Sequence, residues 1–137
     1  RQRTVDLEPY DVVGLATWTD FGGPPQYFMD VMEGLPPLSG KPAFVLNTYG
    51  AISIKTLRIL AQTAARKGST VIAGHSLQTP ESYPPMIAGG RGAEDAPSER
   101  QMAALDAFAA ELDRLLLSGE EGRVLEARRD GLEDVQR

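Results

Sequence analysis

The chain contains no cysteine and a single histidine, His75. The first absence removes disulfides, thiolate nucleophiles, iron–sulfur clusters and cysteine zinc sites. The second leaves no pair of imidazoles for a metal. Long apolar runs are missing too: no stretch approaches the length of a membrane span, and no signal peptide opens the chain. Positive charge is in short supply, with 14 Lys and Arg against 19 Asp and Glu and a formal net charge of −5. That balance argues against an electrostatic nucleic-acid binder, which would show a basic face. An acidic surface favours basic protein partners or serves solubility alone. The expectation is a cytoplasmic protein with neither a membrane nor a nucleic acid as partner.

What is present fits one globular domain of ordinary size: 137 residues, 42% hydrophobic and 24% charged. Three strand-like runs each lead into a loop that carries an aromatic residue beside small ones. Asp11 to Ala16 runs into Thr17-Trp18-Thr19-Asp20-Phe21-Gly22-Gly23-Pro24-Pro25, and Ala43 to Leu46 into Asn47-Thr48-Tyr49-Gly50-Ala51. Thr70 to Gly74 runs into His75 to Pro85. A helical pattern follows each loop, so the repeating unit is strand, loop, helix. Such units place strands in parallel and bring their C-terminal loops to one edge of the sheet, where ligands bind.

The helices read as follows. Tyr27, Phe28, Val31, Met32 and Leu35 recur at helical spacing until Gly34, Pro36 and Pro37 interrupt. A second helix spans Ile54 to Lys67, closed by Arg66, Lys67 and Gly68. Gln78 to Pro97 reads as a long irregular segment, functional or mobile. A last helix starts at Ser98 as cap and carries the stripe Met102, Leu105, Phe108, Leu112 and Leu115. Residues 118–137 form a charged tail, in which Leu125, Leu132 and Val135 make either a docking helix or a frayed end. The chain opens at Arg1 without an initiator methionine, which reads as a fragment, a processed chain or one whose start is missing.

Three parallel strands make a thin sheet, so something is expected to complete it. From Tyr10 to Leu117 the chain resembles the later part of a flavodoxin-like domain, closest to the flavodoxin domains of ferredoxin/flavodoxin fusion proteins. The segments that carry the resemblance are Tyr10-Asp11-Val12-Val13-Gly14, Thr17-Trp18, Phe21-Gly22-Gly23-Pro24-Pro25, Asn47-Thr48-Tyr49-Gly50 and Pro80-Glu81-Ser82-Tyr83-Pro84-Pro85. It implies a parallel α/β three-layer sandwich over residues 1–117, lacking the first strand–helix–strand–helix unit. It also implies FMN held by Thr17, Trp18, Thr19, Asn47, Thr48, Tyr49 and Gly50, with Trp18 stacked on the ring and Tyr49 on its other side. The family's phosphate-wrapping first loop has no counterpart, because Arg1 to Pro9 contains no glycine. Trp18 and Tyr49 read either as core aromatics or as ligand contacts; their place among Thr, Asp and Gly favours contact.

Other sites are weaker. Gly74-His75-Ser76-Leu77-Gln78 imitates a nucleophile elbow, but its second glycine is Gln78 and the one histidine adjoins the serine. His75 instead reads as capping a loop. The Gly89 to Gly92 stretch does not join a strand to a helix and reads as surface loop. Asp20 and Glu81 either tune a flavin or are solvated loop charges. With no acid–base pair in view, an electron-transfer module with a redox partner protein is expected rather than a turnover enzyme. Two alternatives stand beside it. One is a cofactor-less docking or assembly module, with a homo- or hetero-oligomer completing the sheet. The other is a flavin-dependent quinone or NAD(P)H reductase using Gln78 to Pro97 as a lid.

Overall fold

The computed structural model describes residues 5–118; of the expected tail, Ser118 ends the last helix and the rest, including Leu125, Leu132 and Val135, lies outside the described residues. Runs of small and β-branched residues suit a pleated, covered surface, and three of them pair in parallel. They are β1 (Val13–Trp18), β2 (Pro42–Tyr49) and β3 (Thr70–Gln78), in the order β1-β2-β3. Helix α1 (Gln26–Glu33) follows β1, and α2 (Thr56–Arg66) follows β2. After β3 come the one-turn helix α3 (Pro84–Ala88) and the long α4 (Glu99–Ser118). The chain is therefore α/β, with a helical connection between successive strands.

Alternation along the strands sorts side chains onto two faces. On one, Val13, Leu15, Ala43 and Val45 meet Met32 of α1 and Leu57, Leu60 and Ala64 of α2, all buried. Each large side chain buried there stabilises the fold by about 1.5–3 kcal/mol. On the other, Ile72, Ala73 and Phe44 pack against Phe108, Leu112 and Leu115 of α4. Met102, expected on this stripe, is exposed instead, in the first turn of α4. The start of α4 is a capping box: Ser98 Oγ accepts from the Gln101 N–H at 3.2 Å, and Gln101 Oε1 accepts from the Ser98 N–H at 2.7 Å.

All three strands run further than their apolar stretches. Thr17 pairs with Asn47 and Asn47 with Ser76, a polar row lying in register across the sheet on the face that α2 covers. Hydrogen bonds linking Asn47 to Ser76, Thr19 and Ser53 let polar residues continue a buried strand there. Residues read from sequence as loop are thus strand ends. The irregular segment after β3 also contains α3, opened by Pro84 and Pro85 where a helix tolerates proline.

Helix α4 leaves β1 uncovered on its side of the sheet. Along β1 burial alternates, with Val13, Leu15 and Thr17 buried and Gly14, Ala16 and Trp18 exposed. Among the described residues β1 is also an outer strand, and the sequence Val-Gly-Leu-Ala-Thr-Trp carries neither charge nor proline to blunt that edge.

Candidate functional site

The C-terminal ends of the strands open on a cleft of about 580 Å³. Three chain segments build it, one after each strand. The first supplies Trp18, Thr19, Asp20, Phe21 and Gly22; the second Thr48, Tyr49, Gly50, Ile52 and Ile54; the third Thr79 to Tyr83 and Met86. Its volume suits a planar ring system of two or three fused rings.

The first wall is a tight turn. Asp20 N–H donates to Gly23 O at 2.7 Å and Gly23 N–H to Asp20 O at 3.1 Å. The two central residues both have positive φ, 48° at Phe21 and 81° at Gly22. Such turns favour Gly, Asn or Asp at those positions, and Gly22 conforms. Phe21 does not. A bulky aromatic in the left-handed region is an outlier that the surroundings must hold in place. It gains nothing from burial, being 86% exposed, and it stands edge-on to Tyr83 at a centroid separation of 5.8 Å. Trp18, at 55% exposure, and Ile54 and Tyr83 are likewise open to solvent, so the cleft has an apolar, largely aromatic rim. Trp18 is not a core residue.

Behind the cleft lies the polar row. Asn47, 1% exposed, donates through Nδ2 to Thr19 Oγ1 at 2.9 Å and Ser53 Oγ at 3.0 Å. Its Oδ1 accepts from Ser76 Oγ, and Thr19 Oγ1 shares a further hydrogen bond with Thr56 Oγ1 at 2.9 Å. One side chain therefore ties the loop after β1 and the loop after β2 to β3. Thr17 Oγ1 is buried beside this network without a hydrogen-bond partner.

The front is braced by Glu81. Its Oε2 accepts from the Ala51 N–H at 2.7 Å, and its Oε1 from the N–H groups of Ser82 at 2.8 Å and Tyr83 at 2.9 Å. The N–H of Ala51 foremost, then that of Tyr83, hold this carboxyl below the usual glutamate range and outweigh the opposing effect of burial. Gly50 passes so close that a Cβ there would stand 2.5 Å from Glu81 Oε2 and 2.8 Å from Glu81 Cα. Glycine at position 50 is what lets the two loops meet. Glu81 N–H in turn donates to Gly92 O at 2.8 Å, so the Gly89 to Gly92 stretch is stapled against the third wall.

Of the seven residues expected to hold a cofactor, Trp18, Thr19, Thr48, Tyr49 and Gly50 line the cleft. Thr17 and Asn47 do not; the pleat sends them to the helix-covered face, where they are buried. Sequence reasoning passed over Phe21, Ile54, Tyr83 and Met86, and left Glu81 open between flavin tuning and a solvated charge. The Phe21-Gly22-Gly23 turn signal directly after a strand was the available clue to the first of these.

The remaining candidates lead elsewhere. Ser76 hydrogen-bonds Asn47, whereas His75 stacks on Phe108 of α4 at 5.1 Å between ring centroids. Successive residues of a strand face opposite ways, so His75 and Ser76 form no catalytic pair. His75 also lies inside β3 rather than capping a loop, because the strand continues to Gln78. Among the described residues no three His, Asp or Glu side chains gather as a metal site.

No protein-family model matches the chain, and neither the curated proteins nor the solved structures contain a match to it.

Proposed function

We propose that this chain is a flavodoxin-like electron-transfer module whose cleft receives the isoalloxazine ring of FMN. One observation carries the reading: the loops after three successive parallel strands converge on a ring-sized cleft whose rim aromatics stay exposed. An exposed Trp18 and a strained, exposed Phe21 are costly features for a fold alone and useful ones for a flat ligand. A bound flavin would supply one- and two-electron exchange. The chain's part would be to stack Trp18, Tyr49, Phe21 or Tyr83 on the ring and to exclude water. Asn47 acts behind the cleft as a positioning residue, fixing Thr19 and the Ser53 loop. The sheet order and the helices on both faces are compatible with the later strands of a flavodoxin-like sandwich.

The test uses the chain's single tryptophan as a built-in probe. Titration with FMN should quench both flavin and Trp18 emission. Trp18→Ala should weaken flavin affinity from a few-fold to about tenfold, the equivalent of a ring-stacking contribution of about 0.5–1.5 kcal/mol. The apo melting temperature should move little, because the residue leaves no cavity. Absence of quenching with FMN and with riboflavin alike, or a large loss of apo stability in Trp18→Ala, would sink the reading. NAD(P)H oxidation by the loaded protein would move it to a reductase.

A second reading rests on β1. Its free edge and its bare Gly14–Ala16–Trp18 face fit a docking module that a partner strand and helix complete, with or without cofactor. Light scattering separates the cases: a lone 14.8 kDa monomer at all concentrations speaks against docking between copies.

A further inference from the structure

We infer that the cleft recognises the ring of its ligand alone, taking an uncharged or cationic planar heteroaromatic group without a phosphate. The inference rests on the flavin reading above and concerns what else the ligand carries. Among the described residues the cleft's lining contains no Lys, Arg or His, and its two ionisable carboxyl groups are Asp20 and Glu81. Glu81 is held as carboxylate by three backbone N–H groups, so it stays charged throughout the neutral range. Asp20 is exposed at the lip.

Among the described residues, Lys55 and Arg91 line neighbouring hollows. Lys55 lies across Gly23 on the outer side of the Phe21 turn, in a hollow it shares with Asp20. Arg91 lines an open groove beyond Ala51 together with Glu94 and Asp95, which offset it. The whole chain carries a net charge of −5. A phosphate monoester near neutral pH bears nearly two negative charges. A dianion tethered to a ring in this cleft meets like charge first and finds no built partner. The ring fits the residues present; the phosphate does not.

Riboflavin and FMN, identical in ring and differing in phosphate, are the probes. Each is titrated into the whole chain by flavin and Trp18 fluorescence, at low and at moderate ionic strength. Riboflavin should bind at least as tightly as FMN. Added salt should improve FMN binding while leaving riboflavin nearly unchanged, since screening acts on the charged ligand. Asp20→Lys should shift the affinity ratio toward FMN by a few-fold with an unchanged melting temperature, and Asp20→Asn should shift it less in the same direction. FMN binding tighter than riboflavin by more than about threefold, beyond what an exposed charge contact contributes, would overturn the inference and leave the flavin reading standing. Binding of neither would overturn both. An unchanged ratio in a folded Asp20→Lys would overturn the electrostatic account.

Discussion

Replacing Phe21 should make the fold more stable and the cleft less effective. At φ 48° an L-residue other than Gly, Asn or Asp sits at a cost of about 1–2 kcal/mol. Asparagine accepts this conformation, so Phe21→Asn recovers most of that strain. Against it stands the loss of the edge contact with Tyr83, which at an exposed site is worth about 0.5 kcal/mol. The net gain is about 0.5–1 kcal/mol, or roughly 2–6 °C in melting temperature for a domain of this size. Phe21→Gly releases the same strain but gives up about 0.5–1 kcal/mol of backbone entropy, so its stability should match the parent. Both variants remove an aromatic face from the rim and should weaken flavin binding from a few-fold to about tenfold. Thermal melting by circular dichroism, with fluorescence titration of the same samples, reads both effects. A fall in apo stability of more than about 1 kcal/mol in Phe21→Asn would show that the side chain packs rather than waits for a ligand. Unchanged flavin affinity in both variants would remove Phe21 from the site.

Three further perturbations act behind and in front of the cleft. Asn47→Ala deletes hydrogen bonds to Thr19, Ser53 and Ser76 and should cost about 2–4 kcal/mol, measured by denaturant unfolding; a loss under about 1 kcal/mol would mean the network does not hold the loops. Gly50→Ala drives a Cβ against Glu81 and should cost about 1–3 kcal/mol and weaken flavin quenching, whereas unaltered melting and binding would contradict the close approach of the loops. Glu81 has a carboxyl pKa lowered by folding, so its contribution is present above the usual glutamate range and fades as pH falls through the folded value. Melting of the parent should therefore drop toward that of Glu81→Gln on acidification, and a constant difference between the two across that range would refute the bracing role.

The three parallel strands with their connecting helices were legible because they follow from the rhythm of apolar run, glycine-bearing loop and helix, and the candidate cleft lies at the strand edge which that rhythm singles out. Strand ends were not. Thr17, Asn47 and Ser76 look like loop residues one at a time, yet they pair in register inside the sheet, where Asn47 bonds Ser76 and, through its other end, Thr19 and Ser53. Had the strands been extended through them, period-two alternation alone would have separated Trp18 and Thr48 from Thr17 and Asn47. Glu81 illustrates a deeper limit. Its bond to Ala51 joins residues thirty positions apart and leaves no local pattern, so it becomes visible only when both loops are seen together. The five-residue α3 is too short for periodicity to register.

That one carboxylate also has a kinetic meaning. Three amide hydrogens, on Ala51, Ser82 and Tyr83, end on the same two oxygens, although they belong to segments on either side of β3. Freeing any of them requires the carboxylate to swing away, and that movement unlocks the others. The two loops are thereby joined into one opening unit whose amides should exchange with solvent at a common rate. A ligand seated between the loops would slow all three together, so the cleft opens and closes as a single event rather than wall by wall.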